Sequence, residues 1–244
     1  NVPQPLLNRP EIPEEYDYMV MESVYGDRVH EEVEERTAIL KHHIQDTIDK
    51  QGTLIIPAFS LERTQSMLFE INNMVENGEI EPIKTYLDSP LAIRVTDVYQ
   101  HATEYMKDEV QEQINAGDDI FAFEGLSFTE TVKESSQIAK FGGPKIIIAG
   151  AGMSHGGRIR SHEKRFLGDE NTTLLLVGYQ TVGSLGRLLQ DGAKQVWIDK
   201  ESVSVKAKVA TIRGFSGHAD RNQLIDLVYA GAQDYQPKQV FVTM

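Results

Sequence analysis

The sequence predicts an α/β protein, with a parallel-rich sheet flanked by helices on both faces. Two observations carry this prediction. Short apolar runs of strand length alternate with longer segments whose apolar residues fall at helical spacing. The turns leaving those runs are rich in Gly, Ser and Pro and open into helix-starting residues, as strand–loop–helix units require.

Residues 1–15, with Pro3, Pro5, Pro10 and Pro13, read as an extended lead-in, and 18–23 as a short buried strand. Over 31–50, Val33, Ile39, Leu40, Ile44 and Ile48 are spaced for an amphipathic helix, which Gly52 ends. The apolar run 53–57 is a strand, 61–77 a helix, 83–87 a strand and 91–106 a helix. The stretch 107–130, with Gly117-Asp118-Asp119, is less regular and reads as loops or short helices. Residues 131–140 are helical, 145–149 a buried strand, and 158–166 a helix entered through a glycine-rich turn. Then follow strand 173–177, helix 184–189, strands 195–198 and 203–212, helix 221–229 with Asp220 as its cap, and strand 239–243.

Composition bounds the function. The 244 residues are 40% hydrophobic, enough for one large domain or two modest ones. No apolar run reaches the length of a membrane span, and no signal peptide opens the chain. Cysteine is absent, which excludes disulfides and thiolate metal sites and fits a cytoplasmic location. The net charge of −13 argues against nucleic-acid binding by the surface as a whole. Local charge differs: 158–165 (Arg-Ile-Arg-Ser-His-Glu-Lys-Arg) is the densest basic patch, either a nucleic-acid contact or a solvated helix face.

The segment richest in chemistry is Gly214-Phe215-Ser216-Gly217-His218-Ala219-Asp220, directly after an apolar strand. A histidine in such a turn is placed to meet a substrate, Gly217 permits close backbone approach, and Ser216 can donate to an anion. A structural or merely solvated histidine is the plainer alternative. A second segment, Met21-Glu22-Ser23-Val24-Tyr25-Gly26-Asp27-Arg28, opens from a strand. Glu22 there can orient an imidazole by accepting its N–H, or it can pair with an arginine or backbone amides. A third, 149–158, is glycine-rich and enters a helix. It is either a tight turn or an anion cradle offering Gly156, Gly157 and Arg158, and it fits neither dinucleotide nor P-loop spacing. The turns 56–63, 87–92 and 178–187 sit at further strand ends, so the polar turns gather on one rim of the sheet. The seven histidines form no zinc-binding pattern.

In this order the segments resemble the β-CASP branch of the metallo-β-lactamase fold, and most closely bacterial RNA-processing proteins related to the pre-mRNA 3′-end cleavage endonuclease. Residues 22–28 look like the family's motif A (usually Glu-Ser-Thr-Tyr-Gly) and Phe215–Asp220 like motif B (usually Phe-Ser-Ala-His-Ala-Asp); 56–63, 87–92, 152–158 and 178–187 look like the recurrent turns of the β-CASP insertion. The resemblance implies a β-CASP domain over 29–213, with 1–28 and 214–244 as partial strands of the metallo-β-lactamase αββα core. It implies a zinc-dependent ribonuclease in which two zinc ions hold the attacking hydroxide. His218 would be catalytic at the scissile phosphate, Glu22 would orient it, and Ser216, Gly217, Gly156, Gly157 and Arg158 would bind single-stranded RNA.

The chain departs from that pattern. The family's His-x-His-x-Asp-His motif is not in this sequence, and Met244 stands where motif C carries histidine. The expectation is a fragment that does not hold its zinc and is inactive alone, or that serves as a non-catalytic RNA-binding or interaction module. A nucleotide-binding protein using 150–158 as a cradle is a further reading. Strands left without neighbours could pack on the insertion domain or pair in a homodimer.

Overall fold

The computed structural model describes residues 4–8, 11, 15–230 and 237–243. Five strands follow the parallel logic of the sequence: β2 (Thr53–Pro57), β3 (Lys84–Asp88), β5 (Lys145–Ala149), β6 (Thr172–Leu176) and β9 (Lys208–Thr211). With the short β4 (Leu126–Phe128) they form a six-stranded sheet in the order β4-β3-β5-β2-β6-β9, every neighbouring pair parallel. Because the strands run the same way, their C-terminal ends share one rim.

Strand alternation splits the core in two. Leu54, Ile56, Ile146 and Ile148 pack on one face with α1 (Val33–Asp49), α2 (Arg63–Glu76), α3 (Pro90–His101) and α4 (Asp108–Asn115). Ile55, Ile147, Leu174 and Leu176 pack on the other with α5 (Val132–Ile138), α6 (Ile159–Phe166) and α7 (Leu185–Gln190). Strands buried on both faces read as continuous apolar runs, as 145–149 does. The helix starts are written in the sequence. Ser89 accepts from Ala92 N at 3.3 Å ahead of Pro90, Thr131 and Glu134 form a capping box, and Ser184 accepts from Arg187 N at 3.1 Å.

Four expectations need correction. The run 203–212 is two strands: β8 (Glu201–Ser204) pairs antiparallel with β7 (Gln195–Ile198), and β9 joins the main sheet. Lys206 and Ala207 both donate backbone N–H to Leu167 O there, which breaks the strand. The stretch 107–130 contains α4 and also the edge strand β4, too short to show periodicity. The predicted helix 91–106 stops at His101 and ends in a 3-10 turn, Thr103–Tyr105. β1 (Tyr18–Glu22) is not buried: it pairs with β10 (Gln239–Thr243) in a separate two-stranded parallel sheet, with Tyr18 63% and Val20 72% exposed. Of the lead-in, Leu6 is buried in the first core and Leu7 bridges Met106, whereas Pro3, Pro10, Pro13 and the motif C position Met244 lie outside the described residues. α1 closes on Gln51 in the left-handed region (φ 52°), and Gly52 follows for a different reason, since a Cβ there would lie 2.0 Å from Asn171 O.

A buried carboxylate ties the rim together. Asp88, at the end of β3, is fully buried and accepts from His162 Nε2, Ser135 Oγ and Thr129 Oγ1 at 2.6 Å each and from Arg158 Nη1 at 2.7 Å. Burial alone would raise its pKa, but the hydrogen bonds outweigh burial and hold it at about 2.

Two predictions follow from packing. Gly52→Ala should lower stability by about 1–3 kcal/mol in urea denaturation, because the backbone of Asn171 must move. The Asp88 carboxylate contributes on the order of 2 kcal/mol, complete above the ordinary 3.8 and lost as pH falls through about 2. Asp88→Asn should flatten that acid limb in melts between pH 5 and 2, and should cost about 3–5 kcal/mol at neutral pH by stranding Arg158 and His162.

Candidate active site

β9 feeds through buried Ile212 into the turn 213–220, and three charged residues of the segment 22–36 fasten that turn. Glu31 Oε2 accepts the backbone N–H of Arg213 at 2.9 Å and of Gly214 at 2.7 Å. The buried Arg36 donates Nη1 to Gly214 O at 2.9 Å and lays its guanidinium over the Phe215 ring at 4.8 Å. The fit is tight, since a Cβ on Gly214 would lie 3.0 Å from Glu31 O and 3.2 Å from the Arg36 side chain, and these neighbours would have to give by a few tenths of an ångström. Glu22 is the third fastener, with Oε1 accepting from Ala219 N at 3.1 Å and Oε2 from Val24 N at 2.7 Å.

Asp220 starts α8 (Arg221–Ala230) as the sequence predicts, with Oδ1 accepting from Gln223 N at 2.9 Å. Its Oδ2 accepts from His30 N at 3.0 Å, so the helix cap also holds the segment after motif A. Burial would raise the Asp220 pKa; backbone N–H donors, those of Gln223 and His30 first, hold it below the usual value. His30 Nε2 donates to His218 O at 3.0 Å, and the Tyr25 ring, itself 3% exposed, stacks edge-on to His30 at 4.6 Å.

The structure brings the two predicted catalytic residues together. His218 Nδ1 lies 3.5 Å from Glu22 Oε1, and the imidazole is 48% exposed on the rim. With Nδ1 turned to the carboxylate, Nε2 is the nitrogen able to exchange a proton with a bound molecule. Ser216 is brought to the same turn but faces inward: it is 1% exposed and its Oγ accepts from His218 N at 3.1 Å. Gly217 is exposed, above the side chains of Glu62 and Arg63, each with an atom 3.4 Å from where its Cβ would be.

The glycine-rich segment sits on the same rim with its cation already engaged. Arg158 donates to Asp88 Oδ1, to Thr129 O at 2.8 Å and to Glu130 O at 2.7 Å. Gly157, at φ 74°, packs on Gly150, whose carbonyl oxygen would be 2.2 Å from a Cβ, whereas Gly156 has open space beside it.

Sequence reasoning did not find Glu31, Arg36, Glu62 or Tyr179. Glu31 and Arg36 looked like the solvated charges of an amphipathic helix. Glu62 enters α2 at φ 65°, a backbone state with no residue-type signal in a glutamate. Tyr179 stands in a turn that was recognised, and its ring lies 5.6 Å from that of Tyr25. Among the described residues, no three His, Cys, Asp or Glu side chains converge as a metal site.

The family model described as the Beta-Casp domain matches residues 64–189. A second, described as the Zn-dependent metallo-hydrolase RNA specificity domain, matches 202–243. A ribonuclease of Thermus thermophilus is 35% identical over 221 residues, covering 91% of this chain and 51% of the relative. An RNase J-like protein of Methanocaldococcus jannaschii is 32% identical, covering 87% of this chain and 48% of its own length. The transcription termination factor FttA of the same organism is 32% identical over 86% of this chain and 34% of its own length. The chain therefore spans about half or less of these relatives. Its parallel sheet, its rim of turns and the first family model, which alone spans just over half of its length, make it a member of the β-CASP branch of the metallo-β-lactamase fold.

Proposed function

We propose that the full-length protein is a metal-dependent ribonuclease that hydrolyses RNA phosphodiester bonds, and that this chain supplies its proton-transferring imidazole and part of its RNA-binding surface. The observation that carries the reading is the Glu22–His218 pair, 3.5 Å apart, half-exposed and fastened by backbone contacts at a rim of turns. The ribonuclease and RNase J-like names of the relatives support it.

His218 then holds a proton at Nε2 next to the scissile phosphate and passes it to the leaving oxygen. Glu22 accepts at Nδ1, fixing the tautomer and the ring's orientation. Ser216 sets the angle of the turn from within by accepting the His218 N–H, and Gly217, exposed and without a side chain, lets the strand approach above Glu62 and Arg63.

Zinc is the metal the second family description suggests. The residues described here do not fit it: Glu22 and Asp220 spend their oxygens on backbone N–H groups, and no donor set converges. Its ligands would come from the part of the full-length protein that the relatives' extra length represents. On its own the chain is then an RNA-binding module without hydrolytic activity. We take the β-CASP unit as 29–213, because α1 packs under β2, β5 and β6 and β9 completes the sheet. We place the protein in the cytoplasm, in keeping with its lack of cysteine. We do not include a homodimer, because no observation seats a second copy on β1 or β10.

In the full-length protein, His218→Ala should lower RNA cleavage by about 10²–10⁴-fold with little change in RNA affinity. Glu22→Gln should lower it less, because the imidazole loses the carboxylate that orients it. Single-turnover assays across a pH series read both effects, and undiminished cleavage by the His218 variant removes the role assigned to it.

A further inference from the structure

A cavity of about 230 Å³ opens beside the Glu22–His218 pair, between the turn after β1 and the turn after β6. Arg28 reaches it from the first turn, Arg187 from α7, and Arg213 from the run into the histidine turn. Tyr25 and Tyr179 form an aromatic wall, their rings nearly perpendicular at 88°. In a chain of net charge −13, three guanidinium groups in one cavity run against the overall balance.

Each guanidinium is held by a single acid at the rim. Arg28 pairs with Asp27 at 2.6 Å, Arg187 with Asp191 at 2.9 Å, and Arg213 with Glu31 at 3.8 Å. The three arginine side chains remain 37% to 49% exposed. The pairs with Asp27 and Asp191 are exposed and contribute little, so giving up either carboxylate for another anion costs little, whereas Glu31 stays with the turn's backbone and leaves only its 3.8 Å contact to Arg213. A guanidinium fork binds phosphate oxygens two at a time and holds them more firmly than a lysine would. Tyr25 belongs both to this cavity and to the histidine site, with its ring 6.4 Å from that of His218. An anion in the cavity would therefore be a near neighbour of one at the imidazole.

We propose that this cavity seats an internal phosphodiester of the RNA strand, adjacent to the one presented to His218. Two held phosphates fix the strand's position and direction across the imidazole. This rests on the RNA reading above and deepens it.

The test is fluorescence anisotropy of this chain with a single-stranded oligouridylate bearing hydroxyls at both ends, so that every phosphate is a diester, over a salt series. Arg187→Ala and Arg213→Ala should each weaken binding several-fold and flatten the plot of log affinity against log salt by about 0.7. Asp191→Asn, which releases Arg187 from its acid, should tighten binding, an outcome that loss of structure cannot produce. If wild type binds and all three variants keep its affinity and slope, the cavity assignment is overturned while the RNA reading stands. If wild type fails to bind at low salt, the RNA reading itself falls.

Discussion

Everything at the candidate site depends on one constraint: the turn 213–220 is clamped by charged side chains arriving from the opposite end of the sequence. Glu22, Glu31 and Arg36 address its backbone at Ala219, at Arg213 and Gly214, and at the Gly214 carbonyl, and Asp220 returns the contact to His30. Each of these bonds involves a charged group, and such hydrogen bonds contribute more than neutral ones, particularly away from bulk water. A histidine on an unsupported turn would sample many orientations. Here the turn is held at both of its ends, at Arg213 and Gly214 and at Ala219 and Asp220, so one ring nitrogen is offered outward.

The sheet makes that clamp possible. Six parallel strands deliver their following loops to the same rim, where the Asp88 hub fixes the ends of β3 and α6 through His162, Thr129 and Arg158. The hub is rigid because each of its donors is satisfied by a carboxylate that is itself fully buried.

Legibility in the sequence followed the range of the interaction. Strands buried on both faces and helices with Ser or Thr caps are local signals, and 53–57, 145–149 and the starts of α3, α5 and α7 could be read directly. The pairing of Glu22 with His218 was legible only through motif order, because 196 positions separate them. Arg158 illustrates the limit: a cation after glycines reads as an anion binder, and its engagement with Asp88 depends on strand order, which no window of sequence contains. The exposure of β1 was hidden for the same reason, since an apolar run does not reveal how many strands will flank it.

The parallel pairing of β1 with β10 has a consequence for biogenesis. Residues 22 to 36 leave the ribosome well before their partners, which lie as many as 197 positions later, at Ala219 in the case of Glu22. The helix-flanked sheet can condense while the chain is still growing, because its strands and crossovers are nearly complete by β9. The imidazole and its carboxylate can meet only after the turn 213–220 has been made, 196 positions after Glu22. A prematurely terminated polypeptide would therefore present a folded body with the carboxylate waiting and no imidazole to receive it.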